Sequence, residues 1–120
     1  MTNKTKKTKQ LPKIIDQIVK DIKPYNPEKI ILFGSASRNE MRENSDLDLL
    51  VIKETKKSMV ERMRDVRKLI YKNEYYGDKE RFPGPVDVIV YTPTQIKREL
   101  KLGDFFIEEI VKQGRIVYER

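Results

Sequence analysis

Apolar residues recur at Leu11, Ile14, Ile15, Ile18, Val19 and Ile22, a spacing that puts them on one face of a helix. Pro24 and Pro27 stop that helix, because proline has no N–H to donate into the next turn. Ile30-Ile31-Leu32-Phe33 is then a continuous apolar run closed by Gly34, which predicts a buried strand. Residues 35–42 predict a short helix, and residues 46–52, rich in Leu, Val and Ile, a second strand. Ser58 followed by Glu61 is a capping box. It opens a helix whose stripe is Met59, Val60, Met63, Val66, Leu69 and Ile70. Residues 73–85 read as a loop, and Val86–Tyr91 as a third strand. Thr92, Pro93 and Gln95 then give an N-cap, a first-turn proline and a capping glutamine. Gly103 ends that helix, and Phe105, Phe106, Ile107, Ile110 and Val111 mark another, closed by Gly114. Arg115–Glu119 is expected to be a small final strand.

This order predicts an α/β fold, a small mixed sheet of three main strands flanked by helices. The chain has 120 residues, enough for one two-layer core but not for two. Residues 11–120 are therefore expected to form one domain, and residues 1–10 a basic, flexible arm.

Charge changes the picture only at that arm. The net charge is +7, and Lys4, Lys6, Lys7 and Lys9 supply more than half of it within ten residues that contain no acid. Such an arm is a solvated tail by composition, with contact to nucleic acid the less favoured reading. No apolar run approaches the roughly 18 residues of a membrane span, and no signal peptide precedes the first helix. A cytoplasmic protein without membrane contact is expected. The chain contains no Cys and no His. That removes disulfides, thiolate or imidazole metal sites, and triads built on a cysteine or a histidine. Acid–base or metal chemistry must run on carboxylates, hydroxyls, Lys or Tyr.

The candidate chemistry lies between Leu32 and Val51. Asp46 and Asp48 are two apart on a predicted strand, so their carboxylates leave the same face. Like charges that close repel unless a cation lies between them, and oxygen donors favour a hard ion, Mg²⁺ or Mn²⁺. The link from Phe33 to Asp46 is short for a parallel crossover, so an antiparallel return is expected. It brings Gly34 and Ser35 beside Asp46. Gly34 permits close backbone approach, and Ser35 offers a hydroxyl and N–H groups to an anion. The next crossover contains a full helix, so the third strand can run parallel and carry Asp87 up beside the pair. Three carboxylates and a phosphate cradle then share one end of the sheet, the minimum kit for two-metal phosphoryl or nucleotidyl transfer. Arg38 suits a phosphate contact or solvent equally. Tyr75, Tyr76 and Phe82 suit packing better than base stacking, and Arg62, Arg64, Arg67 and Lys68 read as a solvated helix face.

Gly34-Ser35, ten residues, then Asp46-x-Asp48, and later Asp87 on an apolar strand closely resemble the DNA polymerase β-like nucleotidyltransferases. Within them the chain is most similar to the minimal nucleotidyltransferases (MNT domains) of antitoxin type. The resemblance spans roughly residues 11–120, with Asn39 where the family often has Gly. It implies the nucleotidyltransferase fold, two Mg²⁺ held by Asp46, Asp48 and Asp87 as catalytic metal ligands, and a triphosphate bound by Gly34 and Ser35. It implies an enzyme that transfers AMP from ATP, with ATP as co-substrate. About 29 residues follow the third strand, so the acceptor is expected to be held by another chain. In the MNT family that partner is often a HEPN-domain toxin, modified on a tyrosine hydroxyl. Two other readings stand beside it: a catalytically silent nucleotide-binding antitoxin that acts by complex formation, and an enzyme that modifies nucleic-acid ends.

Overall fold

Among the described residues four strands form one mixed sheet in the order β3-β2-β1-β4. The computed structural model describes residues 13–34, 47–71 and 86–120. In chain order these are helix α1 (residues 13–22), a 3-10 turn (Lys23–Tyr25), β1 (Lys29–Phe33), β2 (Leu47–Ile52), α2 (Met59–Tyr71), β3 (Val86–Tyr91), α3 (Pro93–Lys101), α4 (Phe105–Gln113) and β4 (Arg115–Glu119). The expected basic arm, the short helix over 35–42 and the loop over 73–85 lie outside the described residues.

β1 and β2 pair antiparallel, with Phe33 opposite Asp48 and Lys29 opposite Ile52. β2 and β3 pair parallel, with Asp48 opposite Asp87. Both relations are those expected from the connection lengths. The final strand is a full member of the sheet, so the three main strands become four: β4 runs antiparallel to β1, with an irregularity between Ile30 and Ile31.

Alternation along the strands feeds two apolar layers, because successive side chains leave opposite faces. Ile30, Leu32, Leu47, Leu49, Val51, Val86, Val88 and Val90 are buried on one face against the inward stripes of α1 and α2, chiefly Ile14, Ile18, Ile22, Val66 and Ile70. Ile31 and Leu50 point to the other face and pack with Ile96 of α3 and with Ile107 and Ile110 of α4. The architecture is a sheet between two helical layers, the second of them smaller.

The helix starts are built as their sequences predict. The Ser58 hydroxyl accepts the Glu61 N–H at 3.3 Å, while the Glu61 carboxylate accepts the Ser58 N–H at 3.4 Å. The Thr92 hydroxyl accepts the Gln95 N–H at 3.1 Å, and the Gln95 side-chain Oε1 accepts the Thr92 N–H at 2.9 Å. At α4 the Asp104 carboxylate accepts from the N–H groups of Phe106 and Ile107. Gly114 closes α4 for lack of room: a Cβ there would run into the Ile110 carbonyl and the Ile31 side chain.

The arginine-rich face of α2 departs from its solvated reading at one position. Arg62 is only 8% exposed. Its Nε donates to the Lys57 carbonyl at 2.7 Å, and its Nη1 donates to the Gln95 side-chain oxygen at 2.8 Å and to the Val90 carbonyl at 3.4 Å. It joins the start of α2 to the end of β3 and the start of α3. Arg64, Arg67 and Lys68 are exposed as expected.

Candidate active site

The sheet gathers its chemistry at one end. Phe33, Asp48 and Asp87 lie in one cross-strand row, and register partners in adjacent strands project from the same face. Neighbouring strands lie about 4.8 Å apart, so the two carboxylates start from neighbouring points on the face covered further along by α3 and α4. Asp48 is half-buried and Asp87 exposed. Leu47 and Leu49 flank Asp48 in sequence and are buried on the opposite face, anchoring the strand that presents it.

Gly34 follows β1 directly and sits at φ +74°, the left-handed region that glycine enters without a side-chain penalty. A Cβ on Gly34 would collide with the Asp48 carboxylate. The bare backbone at that point is what lets the chain pass over the acid. Ser35 and Asp46, the other expected members of the site, lie outside the described residues, as do Arg38, Asn39, Tyr75, Tyr76 and Phe82. Among the described residues no group of three His, Cys, Asp or Glu gathers to hold a metal ion. Asp48 and Asp87 make a pair with oxygen donors on one face, a donor set that can share a hard divalent cation.

A cavity of about 240 Å³ adjoins this end, lined by Phe33, Gly34, Phe106, Glu109, Ile110, Gln113 and Gly114. The rings of Phe33 and Phe106 meet edge to face, with centroids 5.7 Å apart. The reading of α4 as an apolar stripe hides this feature. Ile107 and Ile110 enter the core, but Phe105 is 85% and Phe106 51% exposed. The signal available in the sequence is the adjacent Phe105-Phe106 pair, since neighbours on a helix do not share a face.

The model of the nucleotidyltransferase domain family matches residues 11–117. The chain belongs to that family. The match covers every described element except the end of β4, and it agrees with a minimal nucleotidyltransferase domain. No curated protein and no solved structure matches the chain. Among the described residues no helix is long and apolar enough to cross a membrane.

Proposed function

We propose that this nucleotidyltransferase domain transfers AMP from ATP to a tyrosine hydroxyl of a HEPN-type toxin, as the antitoxin of a pair. The observation that carries nucleotidyl transfer at this site is the placement of Asp87 opposite Asp48 on adjacent parallel strands, with the Gly34 backbone against Asp48. Asp46, Asp48 and Asp87 would hold two Mg²⁺, and the ions when bound would neutralise phosphate charge and lower the pKa of the attacking hydroxyl. Gly34 and Ser35 hold the triphosphate. The acceptor oxygen forms a new bond to the α-phosphorus, the bond from that phosphorus to its bridging oxygen breaks, and pyrophosphate leaves. The phenolic proton passes to a carboxylate, Asp87 being the base this set offers.

Tyr25, Tyr91 and Tyr118 are poorly placed to be the acceptor, whereas the side chains of Tyr71, Tyr75 and Tyr76 lie outside the described residues. Tyr91 pairs with Ile52, and Tyr118 pairs with Ile30, at the end of the sheet opposite Gly34, Asp48 and Asp87. Tyr25 precedes β1 and lies at that far end too. Burial pushes the Tyr25 and Tyr91 phenols above their usual pKa, with nearby acids such as Asp65 and Asp104 adding to it. Protonated, part-buried phenols far from the acids make poor nucleophiles there. The identity of the partner rests on the resemblance to antitoxin-type MNT domains.

The test is mass spectrometry of a co-purified HEPN-type toxin after incubation with ATP and Mg²⁺. An AMP adduct on a toxin tyrosine is expected with the wild-type chain. It should be lost with Asp48→Asn and with Asp87→Asn while both variants stay folded. An unmodified toxin in an intact complex would leave a silent nucleotide-binding antitoxin. Labelling of RNA or DNA ends instead would move the acceptor to nucleic acid.

A further inference from the structure

We infer that the cavity between the end of β1 and α4 is a nucleobase pocket, in which the base of the bound nucleotide stacks on Phe106. The inference rests on the nucleotidyl-transfer reading of the Asp48–Asp87 end and says where the rest of the nucleotide goes.

Three features carry it. Gly34 is the shared wall: it lines the cavity, and its missing side chain leaves room for the Asp48 carboxylate. A ligand with phosphates at Gly34 therefore has this cavity as an immediate neighbour. Its volume, about 240 Å³, falls below the roughly 300–1,000 Å³ of pockets that enclose a whole drug-sized ligand, and suits one ring system with its sugar and phosphates outside.

Its lining also selects against the charged half of a nucleotide. Among the described residues no lysine or arginine lines it, Glu109 does, and Gln113 is the last residue of α4. The partial negative charge at a helix C-terminus and the Glu109 carboxylate both repel phosphate. A neutral aromatic base faces no such penalty. It meets a ring face on Phe106, a carboxylate that accepts from an exocyclic amino group, and an amide at Gln113 that can both donate and accept.

Phe106 is unusual in its own helix in a way that fits this role. It is 51% exposed, yet held by the edge-to-face contact with Phe33. A half-exposed ring that already touches a neighbouring ring offers a stacking surface at the mouth of the cavity.

Calorimetry with the full chain in Mg²⁺ tests this, with ATP and inorganic tripolyphosphate as the probes. The wild type should bind ATP more tightly than tripolyphosphate. Phe106→Ala should weaken ATP about tenfold, the scale of one lost base–aromatic stack, and leave tripolyphosphate unchanged. Phe106→Leu keeps an apolar side chain against Phe33 and should lose ATP in the same way, whereas Phe106→Trp should retain it. Thermal unfolding of each variant separates loss of the ring from loss of the fold. Equal loss of both ligands in Phe106→Ala, or no loss of ATP, overturns the pocket and leaves nucleotidyl transfer standing. A wild type that binds neither ATP nor tripolyphosphate overturns both readings.

Discussion

A single missing methyl group governs how the two halves of the site meet. Gly34 combines a left-handed backbone with contact to the Asp48 carboxylate, so Gly34→Ala meets two costs at once. The conformational penalty is about 1–2 kcal/mol, and the new Cβ must displace the carboxylate. Thermal unfolding should report a loss of about that size. Transfer activity should fall by roughly 100-fold, because displacing a reacting group by about 1 Å costs that much. A variant that loses stability but keeps full activity would show that Asp48 is not placed by this contact. The meeting of Gly34 with Asp48, and of Asp48 with Asp87, was legible in the sequence for a simple reason. Their residue types are chemically restrictive, and connection length alone decides which strands run antiparallel and which parallel. Phe106 was not legible, because its helix already had a satisfactory inward stripe in Ile107 and Ile110, and a phenylalanine beside them looks like more core.

At the scale of elements, the local signals held and the non-local one did not. The capping boxes at Ser58 and Thr92 involve partners three residues apart, and their physics is complete within one turn. Arg62 depends on Gln95, 33 residues further along, and no periodicity announces that. The Gln95 side-chain oxygen accepts from both the Thr92 N–H and Arg62, so the cap of α3 and the anchor of α2 share one atom. Arg62→Leu strips the Lys57 and Val90 carbonyls of a charged donor. It should destabilise the domain by about 2 kcal/mol, lowering Tm by roughly 6–10 °C. Arg64→Ala and Arg67→Ala, on the exposed part of the same helix, should stay within about 0.5 kcal/mol. Thermal melts of the three variants, side by side, check the contrast.

The whole molecule is unequal across its sheet. α1 and α2 bury long apolar stripes against β1, β2 and β3, whereas α3 and α4 cover the other face with a smaller cluster and leave Leu102, Phe105 and Phe106 at the surface. Local opening follows the density of buried apolar contacts. Amides of β1 and β2 should therefore exchange with solvent only through global unfolding. Those of α3 and α4 should exchange at least about tenfold faster through a smaller opening. Native-state hydrogen exchange by NMR reads this directly, and uniform protection across both layers would refute it. The two-layer arrangement follows from the alternation in the strands, but the inequality of the layers does not. It arises from how far each short helix reaches over the sheet, which nothing in a nine-residue pattern specifies.

The place of Asp87 has a consequence for solubility as well as for chemistry. Among the described residues β3 is the terminal strand of the sheet on its side, and its six residues read Val-Asp-Val-Ile-Val-Tyr. Such a β-branched, apolar edge is a template for pairing with a second chain, and a charge within it is a usual guard against that. Asp87 is its only charge, and it is exposed. Neutralising it to silence the site would also leave that edge without its guard, so a loss of soluble protein in Asp87→Asn would reflect self-association rather than a damaged fold. Asp48 lies on an interior strand, hydrogen-bonded on both sides, and carries no such duty. In the proposed reaction the acid at the rim of the sheet faces substrate, and along the edge it holds off other copies of the chain.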